Sequence, residues 1–485
     1  MHDTSLKSTA IKGVVWSAVD KFAIQFGQFI VGIVLARILL PEDFGVIGML
    51  TIFIALSQTF VESGLGTGLI QRQNRTHIDF STVFVFNLAV SVFFYALLFF
   101  SAPYIASFFN QPKLIDLLRV LGLILILNAF AVVQRTKLTI AIDFKSLAKS
   151  NVIGMIAGGV CGVTAAISGY GVWALVIQML VGTFSTSLSL WFLGNWTPSV
   201  VFSKKSFTSL FGYGSKLLMA GLYAQILNNT YNICLGKFYA PASLGHYTRA
   251  KSFADLSAGI IVSIVQQATF PVLATVQNDR ERLVSIYSRM IRMSAFFIIP
   301  LMTIIALLAK PIVIVLLTEK WISLIPLLQW MVFARIFLPM SAINMNLLNA
   351  VGRSDLFLKV DLSKLPLTIL AMIITIPLGV KAIVIGHVIT SALSFLINAY
   401  LPGKFYGYGA IKQLKDMFPF FIAAFGMAIS VYAMTCFVDN LILQLFLGVV
   451  LGGVTYLFIS YLLKLEELKE VWQLFLSLKS RLLKF

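Results

Sequence analysis

Charge is what this sequence has least of. Only 12% of its 485 residues are Asp, Glu, Lys or Arg, where a soluble domain carries about 25%. Most of the chain therefore has no polar face to offer water. Cysteine is nearly absent too: Cys161, Cys234 and Cys436 each sit inside an apolar run without metal-ligand spacing, as small packing residues do. The four histidines, His2, His77, His246 and His387, are scattered, and His387, alone in an apolar run, suits packing better than ligation. No Gly-rich loop followed by Lys-Ser/Thr occurs, which argues against ATP hydrolysis. No catalytic constellation, metal site or cofactor is expected.

What is present is hydrocarbon. Hydrophobic residues make up 59% of the chain, and the mean hydropathy is +0.92. Runs of 18 or more nearly uncharged residues recur, each able to cross a bilayer core that needs about 20 helical residues. The sequence predicts an all-α polytopic membrane protein with fourteen spans, at 14–40, 44–70, 81–109, 114–134, 150–168, 172–193, 210–239, 244–272, 289–309, 322–349, 358–378, 380–401, 416–437 and 441–463. Residues 1–13 are polar, and the run behind them is too long for a signal-peptide core, so it is expected to stay as the first span.

Net charge is +18. That invites a nucleic-acid partner, but the distribution of the charge points elsewhere. Alternate connections hold 24 Lys and Arg against four, Lys113, Lys310, Lys320 and Lys381, on the opposite set. The positive-inside rule then places both termini in the cytoplasm, as an even number of spans requires. No nucleic acid is expected. The outer connections are short; the longest, near 310–322, carries an apolar stretch, Ile312–Leu317, suited to the interface.

The chain also repeats itself. At an offset of 200 residues Ile33/Ile233, Leu35/Leu235, Pro41/Pro241, Gly45/Gly245 and Phe53/Phe253 are identical, and Arg37/Lys237 keeps its charge. Leu114–Leu118 matches Leu324–Leu328, and Gly171–Val176 matches Gly379–Val384. Six spans separate equivalent positions, so the copies share one orientation, the parallel-repeat arrangement of transporters. The expected organisation is a cytoplasmic N-terminus (1–13), an N-terminal six-helix bundle (14–193), a cytoplasmic linker (194–209), a C-terminal six-helix bundle (210–401), two further transmembrane helices (416–463) and an amphipathic cytoplasmic surface helix (464–485). The last spaces Leu465, Leu468, Trp472, Phe475 and Leu482 along one face.

Charges inside spans are the candidate functional groups, since each costs about 2.5–3.5 kcal/mol at a helix centre and tends to face a cavity or a partner. Lys21, Gln25 and Gln28 form a polar stripe on span 1, and Gln225 and Asn228 repeat it on span 7. Arg37, Lys237, Lys216 and Lys21 have snorkelling as their competing role. Where the first repeat has Met49, Thr51 and Ala55, the second has Arg249, Lys251 and Asp255. Lys21, Gln25, Gln28, Arg37, Lys216, Gln225, Asn228, Lys237, Arg249 and Lys251 are the candidate substrate-binding residues, and Glu62 and Asp255 the candidates for ion coupling. Arg335, Asp361 and Lys364 are weaker candidates, the last two able to pair. Interhelical hydrogen bonding would explain polar faces but not six cations against Asp20, Glu62 and Asp255. Such a surplus selects an anion.

Ser5–Ser17, Leu35-Ala-Arg-Ile-Leu-Leu-Pro-Glu-Asp-Phe-Gly45 and Glu62-Ser-Gly-Leu-Gly-Thr-Gly-Leu-Ile-Gln71 resemble the opening of Wzx-type polysaccharide flippases, above all the WzxC-like branch. Asn228–Tyr239 and Leu244–Ala254 are equally similar, and the resemblance covers essentially the whole chain. It implies the multidrug/oligosaccharidyl-lipid/polysaccharide exporter superfamily, with two six-helix bundles around a V-shaped lumen and two extra helices offering a groove to a prenyl tail. The implied substrate is an undecaprenyl-diphosphate-linked oligosaccharide, moved between leaflets of the bacterial inner membrane. Polysaccharide polymerase and chain-length machinery are implied as partners. Glu62 stands where Asp is commoner in that family. A drug/ion antiporter of the same superfamily is the alternative; a membrane polymerase or ligase would need catalytic groups that the short outer loops leave no room for.

Overall fold

A computed structural model describes residues 2–194 and 196–482, and every regular element among them is helical. The first are α1 (His2–Ile38), α2 (Pro41–Glu62), α3 (Leu65–Gln71), α4 (His77–Phe109) and α5 (Leu114–Leu121). There follow α6 (Leu123–Ile140), α7 (Phe144–Ile167), α8 (Trp173–Gly194), α9 (Lys204–Phe238) and α10 (Pro241–Thr275). Then come α11 (Arg280–Leu307), α12 (Ala309–Leu317), α13 (Ile325–Arg335), α14 (Leu338–Ala350), α15 (Ser354–Ser363) and α16 (Leu365–Thr375). The chain ends with α17 (Val380–Tyr406), α18 (Ala410–Phe437), α19 (Leu441–Leu462) and α20 (Glu466–Leu482).

Twelve segments among the described residues are long and apolar enough to cross a membrane. The spans expected at 210–239 and 358–378 are not among them. In the first case α9 is long, but Lys216, Gln225, Asn228, Asn229 and Asn232 dilute its apolar content. In the second, the helix is interrupted at Lys364, two residues before Pro366, leaving α15 and α16 as pieces of 10 and 11 residues. The span expected at 44–70 is among the twelve, as Pro41–Gln71, with a break between its helices. Ser63 and Gly64 are both left-handed, at φ 42° and 66°, and separate α2 from α3.

Helix pairing in the first compact unit, Met1–Thr248, rests on small residues. No hydrophobic force drives helices together in lipid, so close backbone approach has to supply the contact. Gly154, Gly158 and Gly162 line one face of α7; an added Cβ would meet the Gly182 and Gln178 carbonyl oxygens of α8 at 2.6 and 2.5 Å for the first two. Gly214 and Gly221 press α9 onto α2 in the same way, against Ser63 and Thr59. Described residues of the segment expected as a linker pack against the unit. Trp196 is buried among Phe80, Phe84 and Val133, its carbonyl accepts from Gln134 at 2.7 Å, and Ser203 N–H donates to Thr82 at 3.1 Å.

The duplicated turn explains its own repetition. Pro41 starts α2 at a position where its missing N–H costs nothing, and Asp43 caps the helix by accepting from Leu40 N–H at 3.0 Å. Pro241 opens α10 in the second copy. The two turns face each other: a Cβ on Gly45 would lie 1.8 Å from the Pro241 carbonyl oxygen, and one on Gly245 would lie 1.9 Å from that of Pro41. The same Gly recurs 200 residues on because each glycine receives the other copy's first helical turn, and the same Pro because each opens a helix.

In the second unit, Arg249–Phe485, α18 and α19 pack on α11. Gly448 and Gly452 of α19 receive Leu308 and Ile304 side chains at 2.8 Å from where a Cβ would stand. A buried polar network ties three helices. Tyr287 donates to Asn344, Asn344 to Gln413 at 3.2 Å, and Gln413 to the Tyr408 carbonyl at 3.1 Å. The apolar stretch expected at the outer interface is α12, with Val313 and Leu317 buried. Of the surface helix expected at 464–485, α20 is described to Leu482, and the side chains of Phe475 and Leu482 lie outside the described residues. Trp472 is exposed, while Glu466 and Glu467 pair with Arg292 at 3.3 and 3.0 Å and Glu470 with Arg289 at 3.0 Å. Burial pushes the Glu467 carboxyl above the usual range.

Gly45→Ala and Gly245→Ala should each destabilise the protein by about 1–3 kcal/mol, because backbone rather than a movable side chain blocks the methyl. Gly453→Ala, with open space around it, should leave the melting temperature in detergent unchanged or slightly raised. Equal melting of all three variants would refute the contact.

Candidate functional site

The expected site residues divide between the two units. In the first, Lys21, Gln28, Arg37, Glu62, Lys216 and Asn228 are exposed, and Gln25, Gln225 and Lys237 half-buried. Several have local partners. Gln225 accepts from Asn229 one turn on, through its carbonyl at 3.0 Å and its side-chain oxygen at 3.2 Å. Glu62, in the last turn of α2, accepts from Gln58 at 3.2 Å, and Gln58 in turn accepts from Asn128 of α6 at 3.1 Å. Asp20 accepts from Asn151 of α7 at 3.2 Å.

Lys237 has a structural task. Its ammonium donates to the Phe108 carbonyl at 2.6 Å and sits 4.6 Å from the Phe108 ring centroid. It thereby satisfies an otherwise unpaired carbonyl at the end of α4, where the helix dipole also favours a cation. The charge shared by Arg37 and Lys237 across the repeat is, in the second copy, spent on that helix end.

In the second unit the structure brings three expected groups together. Lys251 and Asp255, one turn apart on α10, pair at 2.8 Å. The other oxygen of Asp255 accepts from Arg335 Nε at 2.5 Å. Arg335 is the last residue of α13, and its side chain is only 7% exposed, where those of Lys251 and Asp255 are 32% and 39% exposed. Ser391 of α17 donates to the Ala334 carbonyl at 2.6 Å, fixing α17 beside this turn. His387, one turn before Ser391, lies within electrostatic range of all three groups. Arg249 is half-buried two residues before Lys251. Lys364 and Asp361 pair with each other at 2.6 Å.

Arg335 is the residue that spacing undervalued. It stands 80 residues from Asp255, and nothing periodic links them. The same holds for a cavity of about 740 Å³ in the second unit. Trp330 and Phe333 of α13 and Phe421 and Phe425 of α18 line it with apolar surface, and Lys310 and Gln329 add polar groups. Chemically, the unit offers a site with two cations around one carboxylate, and separately an apolar cavity with a single ammonium at its lining.

A family model described as polysaccharide biosynthesis protein matches residues 34–326. The teichuronic acid biosynthesis protein TuaB of Bacillus subtilis is 23% identical over 94% of this chain and 96% of its own length. The lipopolysaccharide biosynthesis protein WzxC of Escherichia coli is 24% identical over 82% and 80%. Among solved structures, the lipid II flippase MurJ in an inward closed conformation aligns over 93% of this chain and 98% of its own, at 16% identity and TM-score 0.78. An inward-facing multidrug resistance MATE family transporter of the MOP superfamily aligns over 82% and 100%, at 18% identity and TM-score 0.63. Likeness at such low identity establishes the fold. The family match, over more than half of the residues, establishes kinship: this chain belongs to the polysaccharide biosynthesis protein family.

Proposed function

We propose that the protein is a flippase, not an enzyme, that moves undecaprenyl-diphosphate-linked oligosaccharide repeat units across the bacterial inner membrane for surface polysaccharide. The observation that carries this reading is the surplus of positive charge at Lys251, Asp255 and Arg335 in a family of polysaccharide biosynthesis proteins. Ammonium and guanidinium donors in apolar helices suit diphosphate oxygens. The relatives' roles, in teichuronic acid and lipopolysaccharide biosynthesis and in succinoglycan biosynthesis transport, support a lipid-linked sugar. The aromatic cavity beside α18 supports a prenyl chain as its other half. Polysaccharide polymerase and chain-length machinery are the partners this reading implies.

Transport would proceed by alternating access, with Arg249, Lys251 and the other candidate cations presented first to one side of the membrane and then to the other. Without a nucleotide site, the drive would be an ion gradient, the membrane potential or mass action, with Glu62 the exposed carboxylate available for ion coupling. A drug/ion antiporter draws support from the likeness to the MATE transporter. Two cations around the carboxylate on α10 disfavour the lipophilic cations such exporters handle. The orientation we propose has fourteen spans with both termini cytoplasmic, α9 and the α15–α16 pair crossing as well.

In a strain whose surface polysaccharide depends on this protein, deletion should accumulate lipid-linked repeat units on the inner leaflet. Arg249→Ala together with Lys251→Ala should fail to complement that deletion while inserting at normal level; full complementation would refute the cationic site. Ala428→Trp, which places an indole in the cavity, should lower complementation at unchanged expression if the prenyl chain lies there. In a variant lacking the three native cysteines, Lys113→Cys should react with an impermeant maleimide in intact cells, and Lys404→Cys only after permeabilisation. The reverse pattern would invert the topology.

A further inference from the structure

We propose that Asp255 is an internal counter-ion shared by Lys251 and Arg335, and that the anionic group of the substrate takes Lys251 away from it while Arg335 holds it in place. The inference rests on the flippase reading above and names how that site works. Each oxygen of Asp255 has its own cation: Arg335 Nε at 2.5 Å on one and Lys251 Nζ at 2.8 Å on the other. The two cations differ in access. Arg335 is buried at the end of α13, where the helix dipole favours its charge. Lys251 is about a third exposed, and an ammonium has three donors of which Asp255 uses one. Lys251 is therefore the exchangeable partner, and Arg335 the positioning residue.

The arrangement answers two requirements that conflict. Two bare cations among apolar helices are costly in the absence of substrate, and a carboxylate between them offsets that cost. A carboxylate paired one to one with Lys251 would quench it. With Arg335 also on Asp255, the cluster keeps a net positive charge, and Lys251 remains attractive to an anion. The same count makes Asp255 a poor receptor for a transported cation, because both of its oxygens are already paired and the net positive cluster repels one. The fourth group in range, His387 of α17, adds no negative charge in either protonation state. Once the anion leaves, Asp255 recovers Lys251, which favours release over tight retention.

Binding of farnesyl diphosphate to the purified full-length protein in lipid nanodiscs, followed by calorimetry, tests this. Lys251→Ala should weaken binding by about tenfold or more, as loss of a close charge pair does. Asp255→Asn should tighten it several-fold. Arg335→Gln should weaken it about tenfold although Lys251 is intact, because Asp255 then quenches Lys251 alone. The double variant Arg335→Gln with Asp255→Asn should return to within about threefold of the original affinity, a compensation that a merely structural role for Arg335 would not produce. Unchanged or weaker binding by Asp255→Asn, or a double variant as weak as Arg335→Gln, would overturn the shared counter-ion. If Arg335→Gln does not fold, Asp255→Asn and the charge-keeping Arg335→Lys, expected to bind within about threefold, decide alone. Failure of the unsubstituted protein to bind any prenyl diphosphate would instead overturn the flippase reading, and this inference with it.

Discussion

Two carbonyl oxygens, those of Pro41 and Pro241, stand where any side chain at Gly245 or Gly45 would have to begin. That reciprocal contact holds the first turn of α2 against the first turn of α10 with no intervening atoms. It obliges both copies of the turn to keep their Gly. Lipid tails are as apolar as leucine, so a membrane protein cannot rely on excluding water to pack its helices. Small residues do the work throughout: Gly154, Gly158 and Gly162 between α7 and α8, Gly214 and Gly221 between α9 and α2, Gly448 and Gly452 between α19 and α11. Each is a place where one helix backbone or side chain needs the volume of a missing methyl group.

With the helices placed by glycine, the charges sort themselves by partner. Lys237 caps α4, Lys364 pairs with Asp361, and the Glu466–Glu470 turn of α20 is held by Arg289 and Arg292. These are structural uses, in which the cost of a charge near hydrocarbon is met locally. Lys251 differs because its carboxylate is already claimed by Arg335. An ion pair with a second, buried cation is not neutral, and what is left over is attraction for an anion. In the proposed site the half-exposed ammonium on α10 thus has a chemical consequence that the ammonium groups of Lys237 on α9 and Lys364 between α15 and α16 do not.

Composition and run length were enough to establish a helical membrane protein, because uncharged runs of 18 or more residues suit a spanning helix, whereas a barrel strand needs only about 9–11 residues of alternating polarity. The repeat was equally legible: Pro41/Pro241 and Gly45/Gly245 are identities in a string of letters. Lys251 and Asp255 could be paired by hand, since residues four apart share a helix face. Local spacing reaches no further than that. Arg335 meets Asp255 across 80 residues and Gln413 meets Tyr287 across 126, and no periodicity encodes either. The interruptions at Ser63–Gly64 and at Lys364 likewise fall inside stretches that read as single spans. The sequence by itself determined the class, the duplication and the sign of the charge, because each depends on composition or on distances within one helix. Which cation is buried, which is exchangeable and which only caps a helix end was decided by the tertiary structure, because those roles depend on which helices the glycines bring together.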